Sequence, residues 1–302
     1  MMTPKKRGPL NILLADDGSQ HARAAVELLG DLPLPPRSLV TVLRVFTPLQ
    51  TAEHAALEIS LEQTRVLLAR KGFQTKAELL LGYPAEKVIE YTEQHQPHLI
   101  ALGAQGLRAT LGILLGGVAQ QVVEYACCPV LVVRAPYQGS KRILLVIDGS
   151  PCSQKATEYL GLFPLPKGAE VQVMHVLPPA PLPVAYTLPY QGMEMMPVQR
   201  TVEEIEEARA RQALEERQGQ ALLERATDEL KAHGLEATSV LKRGDAATEI
   251  ITYVKGQHID LIVAGSRGLS QVKAWLMGSV SRKLVHYSGC SVLIVKAPRP
   301  VC

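Results

Sequence analysis

The chain of 302 residues is 47% hydrophobic and 20% charged, a balance that excludes a disordered polymer and leaves room for two domains with separate cores. Lys and Arg total 32 against 29 Asp and Glu, a net charge of +3, so no strong basic field points to nucleic acid. The five cysteines form no CxxC or Cys/His pair at ligand spacing and the eight histidines make no HExxH, so neither zinc nor a disulfide framework is expected.

From the N-terminus, MMTPKKRGPLNILLADDGS holds only a short apolar run before Asp16, too short for a secretory leader, and a cytoplasmic location is expected. Asp17-Gly18-Ser19 ends a first strand with a turn and a helix cap, Ser19 being the capping residue. The most membrane-like window, Leu99 to Ala119, carries Gln105, Arg108, Thr110 and five glycines, which fits a loop between a strand and a helix and not a membrane span.

The second half repeats the first. NILLADDGSQHARAAVELLGDLPLP, from Asn11, falls on RILLVIDGSPCSQKATEYLGLFPLP, from Arg142, and PVLVVRAP and SVLIVKAP close the two copies. A period this long means two copies of a domain, 1–138 and 139–302, and not a solenoid. Apolar runs of strand length alternate with helical periodicity, the pattern of a parallel sheet wrapped by helices on both faces. In the second copy, strands are expected near Arg142–Ile147, Glu170–Val176, Glu236–Lys242, Ile259–Ala264 and Ser291–Lys296, with Ser150 repeating the cap.

The second copy is longer by an inserted loop and helix extension at about 178–209. The prolines of LPPAPLPVAYTLPYQGMEMMP forbid regular structure, and Met193, Met195 and Met196 lie in that stretch as a lid, a partner surface or a disordered loop. A long charged helix follows, opened by the capping box Thr201 to Glu204 and braced by Glu207 and Arg211.

Two glycine-rich segments correspond: GAQGLRATLGILLGGV from Gly103 and GSRGLSQVKAWLMGSV from Gly265. Each follows an apolar strand, where a parallel sheet presents ligands with the turn into the next helix. Glycines admit a close ligand, and a helix opening at Gly278-Ser279 offers backbone N–H groups, a dipole and a hydroxyl, although Ser279 as a plain N-cap fits too. The spacing is neither GxxxxGK[ST] nor GxGxxG. Trp275, the single tryptophan, stands just before Gly278 and would report on the loop by fluorescence.

On Gly265, Gly268, Gly278 and Ser279, with Asp148 and His175-Val176 at strand ends, the second half resembles the universal stress protein family, whose ATP-binding members carry G-x2-G-x9-G-[ST]. The resemblance covers nearly the whole chain, twice. It implies two tandem open five-stranded parallel-sheet α/β domains with a Rossmann-like, adenine nucleotide alpha hydrolase-like fold. It also implies that Asp148 faces the nucleoside and that the Val176 backbone reads the adenine edge. Gly265 and Gly268 would approach ribose and phosphate, while Gly278, Ser279 and the Val280 N–H hold the phosphate chain. Arg267 either adds charge or is a solvated loop arginine.

The first half keeps Asp17, Val45, Gly103, Gly106 and Gly116 but has Gly117 for Ser279 and Gln105 for Arg267, so its site is expected to be weakened or silent. ATP is the expected ligand, its phosphates bringing Mg²⁺ or Mn²⁺ without a dedicated carboxylate cage. Family domains dimerise through their last strands, so Val130–Val133 and Val292–Val295 are expected to pair within one chain, with a further homodimer optional. The reading is a nucleotide-responsive stress module. Its rivals are a slow ATP hydrolase or nucleotidyl-transfer enzyme, for which no base is evident, and a scaffold that binds no nucleotide.

Overall fold

The structure, a computed structural model, describes residues 8–106, 115–180, 185–186, 197–198, 201–268 and 277–296. Trp275, Arg108, Thr110, Cys302 and the methionine cluster lie outside the described residues.

Each half supplies five strands. The first has β1 (Asn11–Ala15), β2 (Leu39–Phe46), β3 (Gln74–Leu81), β4 (Leu99–Gly103) and β5 (Val130–Val133). The second has β6 (Arg142–Ile147), β7 (Glu170–Leu177), β10 (Ala237–Arg243), β11 (Leu261–Gly265) and β12 (Ser291–Val295). Two-residue strands β8 (Ala185–Tyr186) and β9 (Pro197–Val198) pair antiparallel within the insertion. The expected strands are present within two residues at their ends. Leu261, not Ile259, opens β11 because the Ile259 N–H still turns back to Val254 O at 3.1 Å.

Within each half the strands are parallel, in the orders β3-β2-β1-β4-β5 and β10-β7-β6-β11-β12. The last strands meet antiparallel, Val292 opposite Val132, Leu293 opposite Leu131 and Ile294 opposite Val130. The two five-stranded sheets therefore fuse into one sheet of ten, and the intrachain pairing expected of these strands is present.

Helices α1 (Gln20–Asp31), α2 (His54–Arg70), α5 (Pro151–Leu162) and α6 (Val202–Ala232) share one hydrophobic cluster. A second cluster, on the other face, holds α3 (Pro84–His95), α4 (Gly117–Tyr125), α7 (Ala246–Gly256) and α8 (Ser279–Tyr287). Each cluster draws side chains from both halves, so the seam between them is core. Ser19 and Ser150 cap α1 and α5, accepting from Ala22 N at 3.1 Å and Ser153 N at 3.2 Å. The capping box of α6 forms, with Glu204 N donating to Thr201 at 3.2 Å and Thr201 N to Glu204 at 3.0 Å. Arg211 meets Glu207 at 3.2 Å. The first turns of α6 stand in solvent, and its buried residues begin at Gly219. Among the described residues no helix is long and apolar enough to cross a membrane.

Two cations lock the seam from opposite sides. Arg134, just beyond β5 and only 8% exposed, donates to Val285 O at 2.7 Å, in the last turn of α8. Its counterpart Lys296, just beyond β12, donates to Val123 O and to Glu124 O, the latter at 3.2 Å, at the end of α4. Each half thus places a positive charge on carbonyls that the other half's helix leaves unsatisfied, where the helix dipole favours it. Near the same seam, burial pushes the thiols of Cys128 and Cys290 up to about 12, so at neutral pH they are protonated, small and apolar.

A buried ion pair distinguishes the halves. Asp16 and Arg44, at the ends of β1 and β2, form a salt bridge with both side chains buried, and Thr64 of α2 donates to Asp16 at 3.0 Å. The corresponding residues in the second half are Ile147 and His175, where the imidazole Nδ1 lies 2.9 Å from Ile147 O. Charge was exchanged at both positions together.

Two measurements follow from these contacts. Arg134→Ala removes a charge-assisted hydrogen bond at the seam and should lower unfolding free energy by about 1.5–3 kcal/mol in urea denaturation. An unchanged midpoint would show that the seam is held by strand pairing alone. Arg44→His should strand buried Asp16 and cost about 3–5 kcal/mol, whereas Asp16→Ile with Arg44→His installs the second half's neutral pair and should recover most of it. Equal losses in the single and double variants would refute the exchange.

Candidate functional site

The chain leaves β1 and β6 in one direction along the sheet and returns to β4 and β11 in the other, which opens a crevice at the carboxyl ends of these strands in each half. In the second half a cavity of about 190 Å³ lies there. All seven residues expected in that site line it: Asp148, Val176, Gly265, Gly268, Gly278, Ser279 and Val280. Val146, Ile250 and Leu284 give it apolar walls, and Arg267 stands at its rim.

Each contributor is placed by a local cause. Asp148 follows β6 and is half-buried; Oδ1 accepts from Ser150 N at 3.0 Å, which fixes the carboxylate. Oδ2 lies directly against Gly268, so closely that no Cβ fits there. Ser150 cross-links the two loops, because the hydroxyl that caps α5 also donates to Arg267 O at 3.2 Å.

Val176 contributes through its backbone. Successive residues of a parallel strand direct their peptide groups to opposite neighbours. Leu177 O accepts from Gly244 N at 2.9 Å on the β10 side, so Val176 N–H and C=O point to the β6 side. There the pairing of Ile147 with His175 places Val176 N–H on Ile147 O as the last bond of the ladder, and the Val176 C=O, past the end of β6, faces the crevice.

The glycines also answer to contacts within the chain. Gly265 is buried against α5, where a Cβ would meet Cys152 backbone atoms at 2.7 Å; its close approach is to a helix of its own chain. Gly278, not Ser279, is the N-cap of α8, and its N–H is already committed to Ser266 O at 2.9 Å. Ser279 is the first helical residue, so the plain N-cap reading does not hold. Its hydroxyl has no hydrogen-bond partner among the described residues, and Ser279 and Val280 head the first turn, whose N–H groups have no partner within the helix. Sequence reasoning missed Ser281, whose buried hydroxyl donates to Gly265 O at 2.7 Å and ties α8 to the end of β11. The signal was present as Ser279-x-Ser281 against Gly117-x-Ala119.

In the first half the crevice is about 270 Å³, and Asp17, Val45, Gly103, Gly106, Gly116 and Gly117 all line it. The framework is the same. Asp17 Oδ1 accepts from Ser19 N at 3.0 Å, a Cβ on Gly106 would meet Asp17 Oδ2 at 2.7 Å, and Ser19 donates to Gln105 O at 3.1 Å. Gly116 N donates to Ala104 O at 2.8 Å, and Gly117 is the first residue of α4. Asp16 also lines this crevice, a second residue that sequence reasoning passed over. Among the described residues of the whole chain, no cluster of His, Cys, Asp or Glu could hold a metal ion.

The universal stress protein family matches residues 10–134 and again 139–296. Universal stress protein YxiE of Bacillus subtilis is 32% identical over 155 residues, 51% of this chain and 98% of that relative. A universal stress protein of Mycolicibacterium smegmatis is 26% identical over 307 residues, 94% of this chain and 96% of its own length. The crystal structure of a universal stress protein from Archaeoglobus fulgidus superposes with a TM-score of 0.65 at 20% identity, covering 95% of this chain and 98% of that one, and shares the fold. With both copies of the domain matched over most of the sequence, the chain belongs to the universal stress protein family as a tandem member.

Proposed function

We propose that the C-terminal crevice binds ATP and that the chain acts as a nucleotide-responsive regulatory module. The observation that carries this reading is the convergence, on one crevice, of a fixed carboxylate, an outward-facing carbonyl, a helix N-terminus and a guanidinium. Asp148 accepts from a ribose hydroxyl. The Val176 C=O accepts from the adenine amino group, with Val146 and Ile250 against the faces of the ring. The N–H groups of Ser279 and Val280, the Ser279 hydroxyl and Arg267 meet the phosphates, with Gly278 shaping the approach. A divalent cation would be held by the phosphates themselves and not by a protein cage. The regulatory part of the reading is supported by α8, which opens onto the phosphate end of the crevice and is held at its other end by Arg134 of the first half.

Calorimetric titration with ATP and Mg²⁺ tests the assignment. Asp148→Ala should weaken binding by about 1.5–3 kcal/mol, roughly tenfold or more, and Ser279→Ala should weaken it in the same direction. Arg267→Gln should flatten the fall in ATP affinity with rising salt. Absence of ATP binding, or affinity indifferent to Asp148, would overturn the proposal. A further variant bears on the insertion. The first half completes an equivalent crevice without one, so replacing residues 178–197 by a short flexible linker should preserve ATP binding. Loss of binding with an unchanged circular dichroism spectrum would place the insertion in the site.

A further inference from the structure

We infer that the N-terminal crevice takes an uncharged nucleoside and discriminates against its phosphorylated forms, so that the two halves divide nucleoside and nucleotide between them. The inference rests on the reading of the C-terminal crevice as an ATP site, because it is drawn from what changes between the two.

The nucleoside end is kept. Asp17 stands where Asp148 does, held by the same contact to the capping serine and laid against Gly106 as Asp148 is against Gly268. Gly82 N donates to Phe46 O at 2.9 Å on the β3 side, so the Val45 peptide groups lie past the last β1 pair, Ala15 with Leu43, and face the crevice, where Val176 offers its C=O past β6. Leu43, Val88 and Leu102 supply the apolar walls for a flat ring.

Among the described residues, the phosphate end lacks both side chains that meet the phosphates in the other half. Gln105 replaces Arg267 and Gly117 replaces Ser279, while Ala119 replaces Ser281, whose hydroxyl is committed to Gly265 O. Among the described residues lining it, this crevice has two carboxylates, Asp16 and Asp17, and no lysine or arginine; the other has Asp148 and Arg267. Arg44 compensates Asp16 from behind the wall but does not line the cavity. Among the described residues a phosphate brought here meets the Asp17 carboxylate and no guanidinium to receive it, whereas a neutral ribosyl heterocycle loses nothing by those replacements. Sterics did not impose the change. A Cβ at Gly117 would meet nothing within 4 Å, so a serine would fit, and the cavity is the larger of the two, about 270 against 190 Å³.

The test is a calorimetric titration of adenosine into the wild-type chain already saturated with ATP and Mg²⁺. About one adenosine should bind per chain, and Asp17→Ala should weaken that binding about tenfold or more while leaving ATP binding intact. In Asp148→Ala, where C-terminal binding is weakened and a two-site fit separates the crevices, adenosine should bind the N-terminal crevice at least tenfold more tightly than ATP does. Gln105→Arg with Gly117→Ser in that background should reverse the order. ATP affinity for the Asp148→Ala chain should also rise with salt, as screening relieves repulsion, opposite to its fall at the C-terminal crevice. Failure of adenosine to bind beside ATP, or equal or tighter ATP binding in Asp148→Ala, would overturn the inference. If the wild-type chain binds no ATP, the reading of the C-terminal crevice fails, and adenosine titrated alone into wild-type and Asp17→Ala chains still decides the N-terminal one.

Discussion

The rest of the structure depends on the antiparallel seam between β5 and β12. A five-stranded parallel sheet ends at an exposed edge with a full row of unpaired peptide groups, and its short last strand is its weakest member. Duplicating the domain within one chain lets each copy cover the other's edge, and both hydrophobic clusters then run across the seam. Arg134 and Lys296 sharpen this arrangement, because each cation lies at the end of its own half's last strand and on the last turn of the other half's helix. The same strands support the crevices. Ala104 N donates to Val133 O at 2.8 Å and Ser266 N to Val295 O at 2.9 Å, so each glycine loop hangs from the residue next to a seam cation. From the loop of one half to the helix that opens the other's crevice, the path runs through hydrogen bonds and packed backbone.

Much of this was legible in the sequence. The repeat, the strand positions, the capping serines and the long helix from Thr201 all depend on local pattern, which survives without coordinates, whereas the meeting of Asp148, Val176 and Gly265 in one crevice was legible only through the family resemblance. What was not legible depends on partners remote in the chain. Asp16 and Arg44 are 28 residues apart, and nothing in ADD or LRV announces that one neutralises the other. The seam cations sit in VRAP and VKAP, which read as the ends of two strands and do not reveal that each reaches the opposite copy. The position of Ser279 turned on a single residue of register. A glycine followed by serine fits a helix start either way, and the extended Gly278 backbone, whose carbonyl accepts from Arg282 N at 3.0 Å, settles that the glycine is the cap.

Comparing the two crevices separates the motif's glycines from its other positions. Gly103 and Gly265 admit the helix after the first strand, where a Cβ would strike backbone of α1 or α5. Gly106 and Gly268 leave room for an aspartate carboxylate, while Gly116 and Gly278 cap α4 and α8 and close the loop through one backbone hydrogen bond. The first four answer to contacts internal to the chain, with or without a ligand, whereas Gly116 and Gly278 have room for a Cβ. The presence of those four in the first half is therefore no measure of phosphate binding there. What separates the two crevices lies in the positions around those glycines: Arg267 against Gln105, Ser279 against Gly117, and Ser281, whose hydroxyl ties α8 to β11, against Ala119. A Cβ at Gly117 meets nothing within 4 Å, so the common scaffold accepts either residue there, and the two crevices differ by a guanidinium and two hydroxyls on one framework.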